Sequence, residues 1–436
     1  MDDIKRKNKP VKIKVNHYVD KKNEGSISPK SQLAAESLKD FKTPEQASYE
    51  DIITEPKIDA EIEEENQHKI SKKSKNPIIW FKSLDKRHKI LFIIIVILAL
   101  TLIAGGLYYT FRSKNVGNSK SQAKVAVTKK KFVPTTVPST LTGLPVDPSV
   151  NKRPVTAIMI ENSTSARPQS GLDQAGVVFE AIAEGGVTRF MAIYQDSQPD
   201  YIGPVRSARP YYVQWALGFD AAYAHVGGSP DALSDIQSWN VKDLNQFFNG
   251  GAYQRITSRD APHNVYTSIA KLNTIENAKG YTTSSYSGFL RKADNPSKTP
   301  TASTINLHLS GPVYDPSFTF NPSTNNYTRN EYGVVHTELS SAGTTTNITP
   351  KVVIAMVTPL SQGALDSTGA YYSEYNVIGS GQVYIFQDGT VTTGTWTKSS
   401  NTEQITFTDD HGQQIKLNTG QTWITAVSST SNVTYQ

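Results

Sequence analysis

The chain has no cysteine among its 436 residues. Disulfide bonds, thiolate nucleophiles and cysteine-ligated zinc are therefore excluded. Any part of the chain that folds outside the cytoplasm must be stabilised by burial rather than by disulfides. A serine hydrolase of the nucleophile-elbow type is also not indicated, because none of the candidate serines lies in a Gly-x-Ser-x-Gly segment. These serines are Ser163, Ser165, Ser170 and Ser207.

Apolar residues are scarce in the first part of the chain. Between Met1 and Lys89, Lys, Glu, Asp, Asn and Ser dominate, and the apolar residues are too scattered to form a core. Such a composition buries too little surface to offset the entropy of an ordered chain. We expect residues 1–89 to form a disordered tail.

One long uncharged run follows the tail. Residues 90–111 read ILFIIIVILALTLIAGGLYYTF, and about 20 such residues in a helix match the ~30 Å hydrocarbon core of a bilayer. We interpret the run as a single transmembrane helix. A cleavable signal peptide is the alternative, but such a peptide lies close to the N-terminus rather than behind a long tail.

Basic residues flank this run unequally. Arg112 and Lys114 follow it closely, whereas a larger basic cluster precedes it. The positive-inside rule then places the N-terminus in the cytoplasm and the C-terminal domains outside the cell membrane. Membrane lipid is the expected partner of the cluster, so the formal charge of +6 does not indicate nucleic-acid binding. The cluster comprises Lys69, Lys72, Lys73, Lys75, Lys82, Lys86, Arg87 and Lys89.

Composition divides the remainder into three segments. Residues 112–140 are polar, basic and broken by proline, as in a linker. Residues 141–295 are predicted to form an α+β or α/β domain, and residues 296–436 a β-rich antiparallel domain. The first domain has predicted strands at Pro154–Glu161, Val177–Ala183, Thr188–Tyr194 and Ala221–Val226, and predicted helices at Ala208–Gly218, after Ser229-Pro230 and at Thr267–Ala278. The second has predicted strands at Val383–Phe386, Val391–Trp396, Ile405–Thr408, Gln413–Leu417 and Thr422–Val427.

Two arginines lie at the start of a predicted helix. Arg206 and Arg209 have i, i+3 spacing after a Gly-Pro turn, and guanidinium groups at a helix N-terminus suit phosphate or carboxylate. An ion-pair network is the alternative, because Glu180 and Glu184 share one face of an apolar strand and need cationic partners. Arg189 is a third arginine that could serve either role. Both interpretations remain open at the level of sequence.

A second group of polar residues precedes the third predicted helix. It contains Arg259, His263 and Asn264, and His225 ends the short apolar strand before Gly-Gly. The spacing of the histidines and acids matches no metal motif, so no metal or other cofactor is expected. His263 suits general acid or base catalysis, because an imidazole titrates near neutral pH. The structural or acid/base candidates are Glu161, Glu180, Glu184 and His225.

An ordered series of motifs resembles the YerB-like bacterial family, which is built from a domain of unknown function. The resemblance covers about residues 141–427 and implies an outward-facing protein of the envelope, but no reaction. Relatives are typically anchored as lipoproteins through a cysteine, which this chain lacks; the stretch Tyr327–His336 matches the family only loosely. The motifs are Arg153-Pro, Ile160-Glu-Asn, Ala166-Arg-Pro-Gln-Ser-Gly-Leu, Glu184-Gly-Gly-Val-Thr-Arg-Phe, Ile202-Gly-Pro-Val-Arg-Ser-Ala-Arg, His225-Val-Gly-Gly-Ser, Ala261-Pro-His-Asn-Val-Tyr-Thr-Ser, Gly394-Thr-Trp and Asn418-Thr-Gly-Gln-Thr-Trp-Ile.

A more distant architectural similarity is to the LytR-CpsA-Psr glycopolymer transferases, which use arginines on a pyrophosphate. It would make Arg206 and Arg209 pyrophosphate ligands. We favour a membrane-anchored binding or scaffolding module over an enzyme, with an anionic cell-wall polymer or an envelope protein as partner. The alternative is an envelope glycopolymer or phosphoryl transferase. The candidate anion site consists of Arg189, Arg206, Arg209, Arg259, His263 and Asn264.

Overall fold

The computed structural model of the chain describes residues 85–112 and 135–436. The chain divides into two units, residues 1–125 and 126–436. The tail predicted for residues 1–89 lies almost wholly outside the described residues, and so does most of the linker predicted for residues 112–140. The predicted domain boundary at residue 295 stays a prediction.

The first unit contains helix α1, Lys86–Arg112. Its described side chains include eight large apolar groups that are about half or more exposed, from Ile93 at 49% to Leu102 at 73%. The side chains of several other α1 residues, including those of residues 103–112, lie outside the described set. Over the described residues, the structure contains no helix that is long and apolar enough to span a membrane.

The described part of the second unit contains three α-helices. They are α2 at Pro210–Leu217, α3 at Pro230–Ser238 and α4 at Ile269–Lys279. Ser229 accepts a hydrogen bond from the Ala232 amide at the start of α3, and Gly280 ends α4 with a φ of 78°. Short 3-10 segments occur at Val150–Lys152, Thr164–Ala166, Leu172–Gln174, Gly250–Ala252 and Thr430–Asn432.

Strands are the main secondary structure in the described part of this unit. The first thirteen are β1 Val137–Pro138, β2 Pro145–Val146, β3 Thr156–Glu161, β4 Val177–Glu184, β5 Val187–Tyr194, β6 Ala222–Ala224, β7 Lys242–Asp243, β8 Tyr253–Arg255, β9 Val265–Thr267, β10 Arg291–Lys292, β11 Thr304–Leu307, β12 Pro316–Asn321 and β13 Asn326–Glu331. The others are β14 Val334–Val335, β15 Thr337–Leu339, β16 Thr345–Asn347, β17 Val352–Val357, β18 Leu360–Leu365, β19 Tyr371–Tyr375, β20 Gly379–Gln387, β21 Thr390–Lys398, β22 Thr406–Thr408, β23 Leu417–Asn418, β24 Thr422–Val427 and β25 Val433–Tyr435.

A 12-stranded mixed sheet forms the centre of the unit. Ten of its strands follow the order β22-β21-β20-β17-β24-β4-β5-β3-β6-β7, and β19, which pairs with β18, joins β4. Strand β24 is parallel to both β17 and β4. The prediction of a β-rich C-terminal part is confirmed, but β24 departs from the antiparallel pattern expected there. Its six residues are all buried, as in a central parallel strand.

Layers cover both faces of the sheet at β4. Successive side chains of a strand point to opposite faces, and Phe179 stacks on Trp215 of α2 with ring centroids 4.8 Å apart. The next residue, Glu180, contacts Arg329 of β13. Strand β13 belongs to a five-stranded sheet of order β14-β13-β12-β11-β25. The core therefore lies between α2, the mixed sheet and this second sheet.

Candidate functional site

The candidate site begins at the end of β3, where the apolar run TAIMI finishes in Glu161. Glu161 pairs with Arg189 of β5 in the ladder, and Ile160 bridges Val205 on the other side. The carboxylate is therefore attached to backbone that is hydrogen-bonded on both sides. Its side chain is buried.

Three groups converge on one oxygen of the Glu161 carboxylate. Ser163 Oγ donates to Oε1 at 2.9 Å, and His263 Nδ1 lies 2.9 Å from the same atom. Arg206 Nε lies 3.4 Å from it. The second oxygen, Oε2, is buried and has no hydrogen-bond partner among the described residues. We call these four residues the Glu161 cluster.

Arg206 is the arginine of the predicted anion site with the most freedom to bind a ligand. Its backbone is fixed, because its amide donates to the Met159 carbonyl at 3.0 Å and its carbonyl accepts from the Val226 amide at 3.1 Å. Its side chain is 24% exposed. Within the described part of the chain, the guanidinium group makes no hydrogen bond, and its one ion pair is the contact with Glu161.

His263 is oriented by the Glu161 carboxylate. Because a carboxylate accepts hydrogen bonds, the proton of the imidazole is assigned to Nδ1. The side chain is 25% exposed, and Nε2 has no partner among the described residues. The arrangement leaves Nε2 able to accept a proton or a hydrogen bond from a ligand.

The loop that carries His263 is stabilised by its neighbours. Arg255 Nη1 donates to Asn264 Oδ1 at 2.7 Å, and Asn264 Nδ2 donates to the Ile256 carbonyl at 3.2 Å. Arg259 Nη2 donates to the Pro168 carbonyl at 2.6 Å, in the segment that follows Ser163. Asn264 and Arg259, both predicted ligand residues, therefore position the loops around the cluster.

Arg189 and Arg209 form a separate group. Both bind Glu184: Arg189 Nη2 contacts Oε1, and Arg209 Nη2 lies 2.5 Å from Oε2. Burial, followed by the repulsion of Arg209, lowers the pKa of Arg189 to about 10, although Glu184 opposes this. Arg209 also stacks over the Tyr372 ring at 4.7 Å. This geometry is the ion-pair network that the sequence left open for these arginines.

Arg209 lines a cavity of about 210 Å³ between α2, α3 and the β18–β19 hairpin. Its other charged lining groups are Asp231, Asp235 and Glu374. Burial, with a smaller effect of Asp231, raises the pKa of Asp235. Three carboxyl groups against one arginine already bound to Glu184 do not favour an anionic ligand in this cavity.

His225 lies outside both groups. Its ring is fully buried, with Nδ1 2.7 Å from the Gly227 carbonyl and Nε2 3.0 Å from Asp243 Oδ1. Both nitrogens are thus engaged, so His225 has a structural role among the candidates. Over residues 85–112 and 135–436, no group of three or more His, Asp and Glu side chains could hold a metal ion.

Glu180 belongs to a buried network whose other members are not among the candidate site residues. Arg329 Nη2 lies 2.7 Å from Glu180 Oε1, Trp423 Nε1 donates to Oε2 at 2.8 Å, and Arg329 Nη1 lies 2.6 Å from His336 Nδ1. Burial, followed by repulsion from Arg329, lowers the pKa of His336 to about 3. The interpretation that Arg189, Arg206 or Arg209 neutralises Glu180 was therefore wrong.

A signal for this network was present in the sequence of β13. The side chains that alternate along β13 at Tyr327, Arg329 and Glu331 are buried, while those between them are half-exposed. In this strand an aromatic residue is followed, at every second position, by an arginine and a glutamate. Such a pattern indicates that one face of the strand is buried and that its charged residues need ion-pair partners inside the protein.

Two family descriptions match the chain. "Protein of unknown function (DUF3048) N-terminal domain" matches residues 141–282, and the C-terminal domain of the same description matches residues 305–424. The two matches lie on either side of the predicted boundary at residue 295.

A named relative and a solved structure agree with these matches. The chain is 30% identical over 311 residues to "Putative lipoprotein YerB" of Bacillus subtilis (strain 168). The matched residues are 70% of this chain and 91% of that protein. The crystal structure of YerB from Bacillus subtilis superposes with a TM-score of 0.61 at 28% identity, covering 69% of this chain and 99% of that one. The chain therefore belongs to the YerB-like family of proteins with DUF3048 N-terminal and C-terminal domains.

Proposed function

We propose that the chain is an extracytoplasmic binding or scaffolding module of the bacterial envelope that takes an anionic, hydroxyl-bearing ligand at the Glu161 cluster. The observation that supports this most directly is Arg206, which has a fixed backbone and a partly exposed guanidinium group without a hydrogen bond to any described residue. Guanidinium groups bind phosphate and carboxylate strongly. An anionic sugar polymer offers both of the required group types.

The free oxygen of Glu161 supports the hydroxyl part of this ligand. A buried carboxylate oxygen without a partner costs free energy, because its desolvation is not compensated. A ligand hydroxyl could donate to Glu161 Oε2 while its anionic group binds Arg206. His263 Nε2 could accept a second hydroxyl from the same ligand. Charge and hydroxyl recognition would then operate together at one cluster.

The binding experiment measures thermal unfolding of the purified 436-residue chain against phosphate, pyrophosphate and fragments of anionic wall polymer. We expect a rise in melting temperature with a polymer fragment, and at least a roughly 10-fold weaker affinity in the Arg206→Ala variant, since one charge-assisted contact is lost. Arg153→Ala, shortly before the opposite end of β3, is the control. A ligand effect that survives Arg206→Ala would contradict the proposed site.

The proposal includes a membrane anchor at residues 90–111. It is supported by the uncharged run, by the exposed apolar side chains of α1 and by the lipoprotein name of the Bacillus subtilis relative. A surface so apolar on all sides is unfavourable in water. The basic cluster before the run supports a cytoplasmic N-terminus.

Membrane extraction tests the anchor. We expect the chain to stay with bacterial membranes in alkaline carbonate and to enter solution only with detergent. Protease added to intact spheroplasts should digest the segment after residue 135 and spare a tag at the N-terminus. Release by carbonate alone would rule out the transmembrane anchor, and digestion of the N-terminal tag would reverse the proposed orientation.

A transferase acting on envelope glycopolymers is the second candidate. The specific observation in its favour is the hydrogen bond between Glu161 and His263, which leaves Nε2 free to accept a proton from a substrate hydroxyl. Turnover of a lipid-linked sugar substrate, lost in the His263→Gln variant with binding retained, would establish it. Binding without turnover would leave the module as proposed.

A further inference from the structure

Lys292 and Asn418 lie side by side in the second unit. Strands β10 and β23 run parallel, and Lys292 is the register partner of Asn418. Lys292 Nζ contacts Asn418 Oδ1 directly. An amine is thus held against the carboxamide of a side chain that is fully buried.

Asp388 contacts both members of this pair. Lys292 Nζ lies 2.5 Å from Asp388 Oδ2, and Asn418 Nδ2 donates to Asp388 Oδ1 at 2.7 Å. Asp388 itself occupies the β20–β21 turn, where its backbone has a φ of 58°. The carboxylate therefore joins the lysine amine to the nitrogen that an attack on the carboxamide would release.

Further hydrogen bonds hold Asp388 in this position. Asn325 Nδ2 donates to Oδ1 at 2.8 Å, and the Asn295 amide donates to it at 3.0 Å. Burial opposes ionisation of Asp388, but the hydrogen bonds from Lys292, Asn325 and Asn418 outweigh it and lower the pKa. Asp388 is therefore held as a buried carboxylate in direct contact with the Lys292 ammonium, whose proton it would have to accept.

From this geometry we infer that Lys292 and Asn418 become joined by an isopeptide bond, with Asp388 as the acid-base group. Asp388 takes a proton from the Lys292 ammonium, and the neutral amine attacks Cγ of Asn418 to form the new N–C bond. Asp388 then donates the proton to the departing amide nitrogen as the old C–N bond breaks. The products are a secondary amide and ammonia. The ammonia takes up a further proton from the former lysine nitrogen and leaves as ammonium. The step needs no oxidant, cofactor or second substrate.

The bond would close a long segment of the chain, because its ends are separated by 126 positions. It would join the strand that precedes the five-stranded sheet to the strand that precedes β24. A covalent link of this span reduces the entropy of the unfolded chain, as a disulfide does. This chain cannot form a disulfide, since it has no cysteine.

Intact-mass spectrometry of the purified 436-residue chain tests the inference. We expect a mass about 17 Da below that of the sequence, the loss of one ammonia, and a branched peptide that contains both Lys292 and Asn418 after digestion. Lys292→Met, Asn418→Ala and Asp388→Asn should each restore the full mass. Lys351→Met is the matched control, because Lys351 also pairs with an aspartate, at 2.7 Å, but has no carboxamide contact. This variant should still have a mass about 17 Da below that of its sequence.

The mass of the unaltered chain decides the question even if a variant does not fold. A full mass with no branched peptide would show that the three side chains form hydrogen bonds only. If the bond forms, Lys292→Met should also lower the melting temperature by on the order of 10 °C, from the lost constraint on the unfolded chain. If the Lys292→Met variant also had a mass about 17 Da below that of its sequence, the ammonia would have been lost at another site. That result would overturn the assignment of the bond to Lys292 and Asn418.

Discussion

At the scale of single residues, the described unit is distinguished by charges that are buried completely. Arg329 is 0% exposed, and its guanidinium group lies over the rings of Phe190 and Trp423, at 5.3 Å and 5.0 Å from their centroids. Glu180 and Glu331 neutralise it. Burial raises the pKa of Glu180, whereas at Glu331 the charges of Arg329 and Arg167 overcome burial and lower the pKa. Removal of one member leaves the others without compensation.

We therefore expect Arg329→Met to lower the free energy of unfolding by about 3–5 kcal/mol, the usual cost of breaking a buried ion pair. Chemical denaturation of the variant and the unaltered chain measures this. Adding Glu180→Gln to the same variant should recover part of the loss, because one unpaired charge is removed. A change below about 1 kcal/mol would mean that the network contributes little to stability.

At the scale of elements, the β15–β16 hairpin joins the two predicted domains. The Leu339 amide donates to the Gln169 carbonyl at 2.8 Å, and the Asp173 amide donates to Glu338 Oε2 at 3.0 Å. Burial, together with hydrogen bonding to the Asp173 carboxyl, raises the pKa of Glu338 from 4.5 to about 9. The folded chain therefore keeps the Glu338 proton to a higher pH than the unfolded chain does.

This raised pKa predicts a loss of stability as the pH rises. Between these two pKa values the folded chain keeps the Glu338 proton while the unfolded chain loses it. The contribution of this carboxyl group to the free energy of unfolding is therefore complete below about pH 4.5 and has disappeared by about pH 9. Relative to Glu338→Gln, the unaltered chain should lose roughly 1 kcal/mol of unfolding free energy per pH unit within this window. Denaturation at pH 6, 7 and 8 measures the difference. Parallel pH profiles would contradict it.

The turn between β20 and β21 depends on a glycine with no space for a side chain. Gly389 has a φ of 75°, and a Cβ atom there would lie 2.6 Å from Phe320 Cε1. We expect Gly389→Ala to cost about 1–3 kcal/mol of unfolding free energy. Gly412→Ala is the control, because Gly412 also has a φ of 75° but nothing within 4 Å. Equal costs in the two variants would show that contact with Phe320 is unimportant.

At the scale of the second unit, the mixed sheet interleaves both ends of the sequence. Strand β24 lies between β17 and β4, so β4 has a partner that is more than 200 positions away. Without residues 296–436, β4 would lose β24 and Glu180 would lose Arg329. An unpaired central strand that is mostly apolar is also prone to aggregation.

We expect the fragment 135–295 to lack a cooperative thermal transition, and the unaltered unit to unfold in one step. Circular dichroism and the dispersion of amide resonances measure both. A cooperative transition in the fragment would show that the boundary at residue 295 separates two independent domains.

Much of the local structure was predictable from the sequence. The helix after Ser229-Pro230, the end of α4 at Gly280 and the Asp388-Gly389 hairpin all appear as expected, because capping and turn residues act over a few positions. The strands predicted from apolar runs at β3, β4 and β5 also appear, with ends shifted by at most two residues. In the predicted segment Gln413–Leu417, only Leu417 lies in a strand.

The division of roles among the charged residues was decided by the tertiary structure alone. Sequence spacing grouped Arg206 with Arg209, but the fold places Arg206 beside Glu161 and Arg209 beside Glu184. The partner of Glu180 lies 149 positions away, and Asn418 is 126 positions from Lys292. Propensity and capping depend on neighbours in the chain, whereas ion pairs and reactive contacts depend on which strands become adjacent, and a single sequence does not encode that adjacency in any local pattern.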